Sequence, residues 1–192
     1  MVAPDPYAYL APLVVSENVF TPQELDAVIA HGETLGLEKS SISYGDGRVG
    51  DDPMRISHQA WMPRDQASTW IYDRLERAVR QLNANVYRFE LSGFSDLFQY
   101  SVYHGHEGGH FGWHVDQVRG AAHRKLSFSL QLSGPDEYEG GELVIHGAQP
   151  ATAPKTRGAL VAFPSYALHR VAPVTAGTRR ALVFWTAGPP FQ

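Results

Sequence analysis

From Val86 onward, the chain consists of short runs of β-branched and aromatic residues that are separated by Gly, Pro and Asp. Many short strands at this spacing are typical of a β-sandwich or a jelly roll. The second half of the chain is therefore predicted to be mainly β. The predicted strands are Val86 to Leu91, Leu97 to Tyr103, Leu126 to Leu132, Glu142 to His146, Ala159 to Phe163 and Ala181 to Trp185.

One of these segments, Lys125 to Leu132, alternates cleanly between apolar and polar residues. In a strand, successive side chains point to opposite faces of the sheet, so one face packs on a core and the other meets water or a polar cavity. The apolar face carries Leu126, Phe128, Leu130 and Leu132, and the polar face carries Ser127, Ser129 and Gln131.

Two helices are predicted before the β region. Thr21, Pro22 and Glu24 form a helix start with a capping box, and this helix is expected to end near Gly36. A loop is predicted from Lys39 to Val49 and a strand from Arg55 to Met62. After Pro63, apolar residues recur with helical spacing at Ile71, Leu75, Ala78, Val79 and Leu82.

The length of 192 residues favours one domain with one core. We expect a single domain over residues 1–192, in which residues 1–85 form a helical support and loop region. Residues 86–192 form the β core.

Composition excludes several classes of partner and site. The net charge of −4 and the absence of a basic run argue against nucleic acid and against an anionic membrane surface. The chain has no cysteine, so a metal must be held by His, Asp or Glu. Residues 1–20 lack the pattern of a signal peptide and no stretch approaches membrane-spanning length, so a cytoplasmic protein is expected. The oligomeric state is left open.

His114, Asp116 and His169 are the candidate metal ligands. Residues i and i+2 of an extended segment point the same way, so His114 and Asp116 can grip one ion. His169 then arrives from a different strand, since a buried strand and a turn precede it. Two imidazoles and one carboxylate on one side of Fe(II) leave the opposite positions open for a co-substrate and oxygen. Three such residues are also common by chance in a chain with nine histidines.

Arg179 lies ten residues after His169 and begins an apolar strand. A guanidinium on the inner face of this strand needs a partner, and a dicarboxylate co-substrate would supply one. The adjacent Arg180 must then point to the other face. The alternatives are an internal salt bridge or a solvated pair of arginines.

Two further sets of residues are considered as binding sites. His104, His106 and His110 could form a rival metal site, but they lie in a glycine-rich segment that favours a polar loop at the mouth of a pocket. Arg55 could bind a substrate carboxylate, although an exposed arginine is the commoner case.

The motifs, in this order, resemble those of the Fe(II)- and 2-oxoglutarate-dependent oxygenases, in the prolyl-4-hydroxylase-like branch and especially its small bacterial hydroxylases. The similarity runs from Phe98 to Trp185. The matching segments are Tyr103-x-Gly105, Phe111 to Asp116, Leu126 to Ser133 with Pro135, Tyr138 to Leu143, Phe163-Pro164, His169 to Val171, Pro173 to Thr175 and Gly177 to Arg179.

This resemblance implies a double-stranded β-helix, or jelly roll, flanked by two or three helices. It implies Fe(II) held by His114, Asp116 and His169, with 2-oxoglutarate and O2 as co-substrates. Arg179 would anchor the distal carboxylate of 2-oxoglutarate, and Tyr103 and Gln131 would line the same pocket. Some relatives carry a tyrosine at the position of Gln131.

The implied activity is hydroxylation of an unactivated C–H bond with release of succinate and CO2, because a carboxylate at Asp116 favours hydroxylation over halogenation. The substrate would be an amino acid, a peptidyl residue or a peptide-like metabolite, selected by loops at Lys39 to Val49, His104 to His110 and Arg119 to Arg124. The alternatives are a cupin-like binding or sensor protein, or an inactive barrel that binds 2-oxoglutarate without turnover.

Overall fold

The computed structural model describes residues 12–43, 49–50, 53–117, 121, 123–147 and 149–191. The helices are α1 (Pro22–Glu33) and α2 (Thr69–Asn85). The strands are β1 (Val14–Ser16), β2 (Glu38–Lys39), β3 (Ile42–Ser43), β4 (Val49–Gly50), β5 (Arg55–Ile56), β6 (His58–Met62), β7 (Gly93–Phe94), β8 (Phe98–His104), β9 (His110–His114), β10 (Arg124–Gln131), β11 (Tyr138–Gly140), β12 (Leu143–His146), β13 (Pro150–Thr152), β14 (Leu160–Pro164), β15 (Leu168–Val171) and β16 (Val174–Ala187).

Both predicted helices are present. At α1, the Thr21 side chain accepts from the backbone N–H of Glu24, and the Glu24 carboxylate accepts from the backbone N–H of Thr21, which completes the predicted capping box. The predicted apolar face of α2 is buried against the sheet, with the exception of Ala78, which is half-buried. No helix in the described part of the chain is long and apolar enough to cross a membrane.

The described strands form two large antiparallel sheets and one small hairpin. The strand order in the major sheet is β1-β14-β10-β16-β8-β6-β2, and β7 and β11 also pair with β16. The minor sheet has the order β13-β12-β15-β9-β5, and β3 pairs with β4. The chain is therefore mainly β with N-terminal helices, as predicted.

The main hydrophobic core lies between the two helices and the major sheet. The apolar face of β10 belongs to this core, as its alternation predicts, together with α1 and α2 residues such as Leu25, Val28 and Leu75. The opposite, polar face of β10 turns toward the minor sheet. Its residues are buried, not solvated: Ser127, Ser129 and Gln131 are at most 5% exposed. The interior between the sheets therefore has polar side chains beside a second apolar cluster that includes Ile145, Val161 and Phe163, and we call this interior the cavity.

The first 85 residues contribute strands as well as helices. β1 and β6 extend the major sheet, and β5 pairs with β9 at the edge of the minor sheet. The division at residue 85 stays a prediction, but the segment before it adds Arg55 to the wall of the cavity. Residues 44–48, 119–120 and 122, which belong to two of the predicted specificity loops, lie outside the described residues.

The predicted strand from Val86 to Leu91 is wrong. After α2 this segment has no strand pairing, although Tyr87 and Phe89 pack against the main core. The side chain of Asn83 accepts from the N–H of Phe89 and donates to its carbonyl, so the backbone groups that a sheet ladder would use are already occupied.

Candidate active site

His114, Asp116 and His169 come together on the inner side of the minor sheet. His114 at the end of β9 is directly opposite His169 on β15 in the strand register. β9 ends at His114, and Asp116 follows in a bend. One atom of each side chain lies within 4.8 Å of the others, and no other group of three such side chains in the described ranges meets this condition. The three side chains can hold one ion from a single side.

The orientation of both imidazoles is fixed by the backbone. Nδ1 of His114 lies 2.8 Å from the carbonyl of Gly112, and Nδ1 of His169 lies 2.9 Å from the carbonyl of Ala167. Because a carbonyl can only accept, each Nδ1 donates its proton and each Nε2 keeps a lone pair. These two Nε2 atoms are 3.7 and 3.5 Å from the Asp116 carboxylate oxygens. The lone pairs and the carboxylate therefore face a common point, which fits a divalent metal.

Asp116 is held by a serine from the major sheet. The Ser127 hydroxyl donates to Asp116 Oδ2 at 2.6 Å and lies 3.0 Å from Ser165 Oγ. Burial alone would raise the pKa of Asp116, but the two imidazoles and the serine hydroxyl outweigh burial and hold this pKa below its ordinary value. Asp116 therefore offers a carboxylate and not a carboxylic acid.

The environment of His114 keeps its ring neutral. Burial is the largest cause that lowers the pKa of His114 to about 4, and neighbouring His169 acts in the same direction. The ring also stacks on Phe111, with the centroids 3.5 Å apart. At neutral pH the imidazole thus carries the free lone pair that metal binding requires.

Arg179 lies across the cavity on the major sheet. It is 2% exposed, its Nη2 donates to Gln131 Oε1 at 2.9 Å, and its Nε is buried without a partner. Tyr103 is its register partner on β8, and the guanidinium carbon lies 5.3 Å from the centre of the tyrosine ring. No described carboxylate lies within ion-pair distance of this cation, so the cavity contains an unneutralised donor.

Arg180 points to the opposite face of β16. Its Nε donates to Glu33 Oε1 on α1 at 2.9 Å. The two adjacent arginines thus have different environments: Arg180 has a protein partner on the helix side, and Arg179 has a neutral amide and a tyrosine ring on the cavity side.

Arg55 is also buried at this cavity. It is 8% exposed, its Nε donates to Ser57 Oγ at 2.9 Å, and its Nη2 lacks a partner. Its guanidinium carbon lies 4.7 Å from the centre of the Phe111 ring. The expectation that an arginine here is more commonly exposed is wrong for Arg55, because β5 pairs with β9 and turns the side chain inward.

His104 at the end of β8, His106 in the following turn and His110 at the start of β9 are separate from the metal-ligand group. His104 Nδ1 lies 3.2 Å from Thr178 Oγ1, and His106 is exposed. Both ring nitrogens of His110 contact backbone carbonyls, those of Gly108 and Pro53. These contacts stabilise the turn between β8 and β9, and the turn places β9 beside β15.

Sequence reasoning missed three residues that support the site. Ser127 holds Asp116, Phe111 stacks on His114, and Ser57 holds Arg55. The alternation of β10 does place Ser127 on a polar face, so the pattern could have indicated it. Ser57 lies two residues from Arg55 and Phe111 lies three residues from His114, so both pairs are close along the chain. The stacking of Phe111 on His114 coincides with the irregular pairing of β9 with β15 between these two residues, which no sequence pattern indicated.

Comparison with known proteins assigns the chain to a family. The family model described as the 2OG-Fe(II) oxygenase superfamily matches residues 98–187. A PKHD-type hydroxylase of Pseudomonas putida (strain W619) is 33% identical over 163 residues, which cover 78% of this chain and 69% of the relative. A PKHD-type hydroxylase of Xanthomonas campestris pv. campestris (strain 8004) is 34% identical over 187 residues, covering 88% and 75%. The chain belongs to the 2OG-Fe(II) oxygenase superfamily.

Solved structures agree with this family on the fold. A prolyl-4-hydroxylase from Pseudomonas putida superposes with a TM-score of 0.73 at 17% identity and covers 93% of both chains. A prolyl hydroxylase from Trichoplax adhaerens has a TM-score of 0.76 at 16% identity, covering 92% of this chain and 83% of the other. These similarities confirm the predicted double-stranded β-helix fold.

The family membership confirms the predicted enzyme class and cofactors. The chain is a 2-oxoglutarate-dependent hydroxylase of the small bacterial type, and it uses Fe(II), 2-oxoglutarate and O2. The cupin-like alternative is therefore set aside.

The contact between Ser127 and Asp116 leads to a first prediction for this oxygenase. We expect Ser127→Ala to weaken Fe(II) binding by about 10- to 100-fold, because loss of an outer partner of a metal ligand has this typical effect. The measurement is an anaerobic Fe(II) titration. Ser129→Ala is the matched control, since Ser129 is buried on the same face of β10. Equal affinities of the two variants would contradict a role for Ser127 in holding Asp116.

Proposed function

We propose that this hydroxylase acts on an unactivated C–H bond of an amino acid, a peptidyl residue or a peptide-like metabolite, and that it releases succinate and CO2. The observation that carries the proposal is the pairing of a one-sided His, Asp and His group with a buried, unneutralised Arg179 in the same cavity. The first fits a metal with open positions, and the second fits an anionic co-substrate beside it.

His114, Asp116 and His169 are the proposed iron ligands. Support comes from the two free Nε2 lone pairs and the carboxylate that face one point. When bound, Fe(II) and 2-oxoglutarate would supply the electrons that activate O2, and the two oxygen atoms would end in succinate and in the product hydroxyl. The protein contributes placement: each ligand has a fixed orientation before the metal arrives, which lowers the ordering cost of binding.

Arg179 is the proposed anchor for the distal carboxylate of 2-oxoglutarate. Its planar guanidinium suits a carboxylate, and its contact with Gln131 uses only Nη2. Gln131 therefore orients the guanidinium, and Tyr103 forms the adjacent wall of the pocket. Gln131 and Tyr103 are both nearly fully buried, which excludes water and strengthens the ion pair that 2-oxoglutarate would form.

Arg55 is proposed to lie on the substrate side of the cavity. The prolyl hydroxylase from Trichoplax adhaerens was solved in complex with a peptide fragment of the hypoxia inducible factor oxygen degradation domain. That complex supports a peptide as one class of substrate here, and a small molecule is the other. No nucleic acid or membrane is required.

The test follows 2-oxoglutarate through binding and turnover. Protein prepared without oxygen is titrated with Fe(II) and 2-oxoglutarate while the visible charge-transfer absorption of the complex is recorded, and succinate is measured after addition of O2. We expect saturable absorption, slow succinate formation without substrate, and faster formation with a substrate from an amino acid and peptide screen. Absorption without any succinate would identify an inactive barrel. The absence of both would contradict the proposal.

A further inference from the structure

Arg55 is a buried cation beside the metal-ligand group, and no described carboxylate forms an ion pair with it. Its guanidinium lies 4.7 Å from the centre of the Phe111 ring, and that ring stacks at 3.5 Å on His114. Ser57 accepts from its Nε and in turn donates to Ser40 Oγ at 2.8 Å. The serines fix one edge of the guanidinium, while Nη2 stays buried without a partner.

The groups that influence Arg55 place its free edge at the active site. Burial lowers the pKa of Arg55 below its ordinary value, and Tyr103 and the Asp116 charge oppose this effect. Both belong to the walls of the cavity. An arginine keeps its proton even in such surroundings, so the cavity contains a permanent positive charge.

Arg55 differs in this respect from three half-buried arginines of the described chain. Each of these three has a protein carboxylate within 3 Å, which neutralises the charge. The pairs are Arg74 with Glu24 at 2.7 Å, Arg124 with Asp96 at 2.9 Å and Arg180 with Glu33 at 2.9 Å. A structural role for Arg55 alone would leave its charge uncompensated, which is costly in a buried position.

The charges of the loaded site balance without Arg55, so the positive charge of Arg55 remains uncompensated. Fe(II) and Arg179 bring three positive charges, and Asp116 with the two carboxylates of 2-oxoglutarate brings three negative ones. Among the buried side chains that the structure describes, Asp116 is the one carboxylate. The remaining buried cation, Lys125, lies elsewhere, against the Phe191 ring at 3.4 Å. One further negative charge would therefore neutralise the cavity, and the substrate is the component that can bring it.

On the basis of the proposed function, we propose that Arg55 binds a free carboxylate of the substrate. The substrate is then a small carboxylic acid of the amino acid type, free or N-acylated, or the C-terminal residue of a peptide. A residue inside a peptide chain lacks this carboxylate. The Arg55 guanidinium contacts the Phe111 ring, and that ring stacks on His114, a proposed iron ligand. Because Arg55 lies this close to the iron site, the carboxylate belongs to the same residue as the carbon that is hydroxylated.

The experiment compares each candidate acid with its own amide. Free and N-acetylated amino acids, their C-terminal primary amides, and short peptides with blocked ends are added to the iron-loaded enzyme, and succinate formation above the basal rate is measured. We expect an accelerating acid to be preferred over its amide by at least about 30-fold in kcat/KM, which corresponds to about 2 kcal/mol.

Variants connect this preference to Arg55. Arg55→Met keeps the packing on Phe111 and should reduce the preference for the acid to less than about threefold. Arg55→Lys keeps the charge and should retain part of the preference, which a purely structural role would not predict. Arg74→Met is the matched control: it removes a cation on α2 that Glu24 already neutralises, and it should leave the preference intact. Thermal unfolding checks that each variant folds, and the wild-type comparison of acid with amide does not depend on them.

Three outcomes would overturn the inference: amides or blocked peptides that equal the acids, an acid preference that survives Arg55→Met, or no acceleration by any compound while basal succinate and 2-oxoglutarate binding are normal. If the wild type neither binds 2-oxoglutarate nor forms basal succinate, the proposed function itself has failed, and the inference fails with it.

Discussion

Asp116→Ala is expected to abolish hydroxylation and to weaken Fe(II) binding by more than the about 100-fold that the loss of an outer partner can cause. The reason is that Asp116 supplies the negative charge of the metal-ligand group, and its oxygens are 3.5 and 3.7 Å from the two imidazole Nε2 atoms. Two neutral imidazoles alone bind Fe(II) weakly. Anaerobic Fe(II) titration and substrate-dependent succinate formation are the two measurements.

Glu107→Ala is the control for this variant. Glu107 is an exposed carboxylate in the histidine-rich turn and lies 3.5 Å from His58. Its loss should leave the iron content near that of the wild type. Full activity of Asp116→Ala would remove Asp116 from the ligand set, and loss of iron from Glu107→Ala instead would favour the rival site in the turn.

Arg179→Met should raise the KM for 2-oxoglutarate by at least about 30-fold, since truncation of one partner of a buried charge pair costs about 2 to 5 kcal/mol. Arg180→Met removes an equal charge from the next residue, but from the helix side, where Glu33 is its partner. Arg180→Met should therefore change this KM by less than about threefold. A larger effect at Arg180 would mean that the anchor was wrongly chosen.

A second substrate identifies the group that Arg179 contacts. 2-Oxopentanoate has the carbon chain of 2-oxoglutarate with a methyl group in place of the distal carboxylate. The wild type should strongly prefer 2-oxoglutarate, and Arg179→Met should lose most of that preference because the two molecules then meet the same neutral wall. A preference unchanged in Arg179→Met would show that another group reads the distal carboxylate.

Local patterns predicted the secondary structure well where neighbours along the chain decide it. The capping box of α1, the apolar face of α2 and the alternation of β10 all depend on residues a few positions apart. The segment after α2 was predicted incorrectly, because its composition did not reveal the local contacts that decide its structure. Its composition is that of a strand, but Asn83 binds both backbone groups of Phe89 and no neighbouring strand is available.

The sequence predicted which side chains form the candidate site, but it did not predict how these side chains contact one another. Motifs singled out His114, Asp116, His169 and Arg179, and the iron and 2-oxoglutarate dependence implied by their resemblance is confirmed by the family. The roles of the individual residues stay predictions for the experiments above. The contact between Ser127 and Asp116 joins β10 to the bend after β9, and the alternation of β10 indicates only that Ser127 lies on the polar face. The stacking of Phe111 on His114 lies within β9 and coincides with its irregular pairing with β15.

The sequence by itself determined the mainly β architecture, the start of α1 and the set of side chains able to bind a metal, since these follow from local periodicity and from residue chemistry. Only the tertiary structure decided that His114 faces His169, that Arg179 turns inward while Arg180 meets Glu33, and that Arg55 is buried without a counter-ion. Strand register and burial arise from contacts between distant parts of the chain, and they determine which charges the protein neutralises and which it leaves for its ligands.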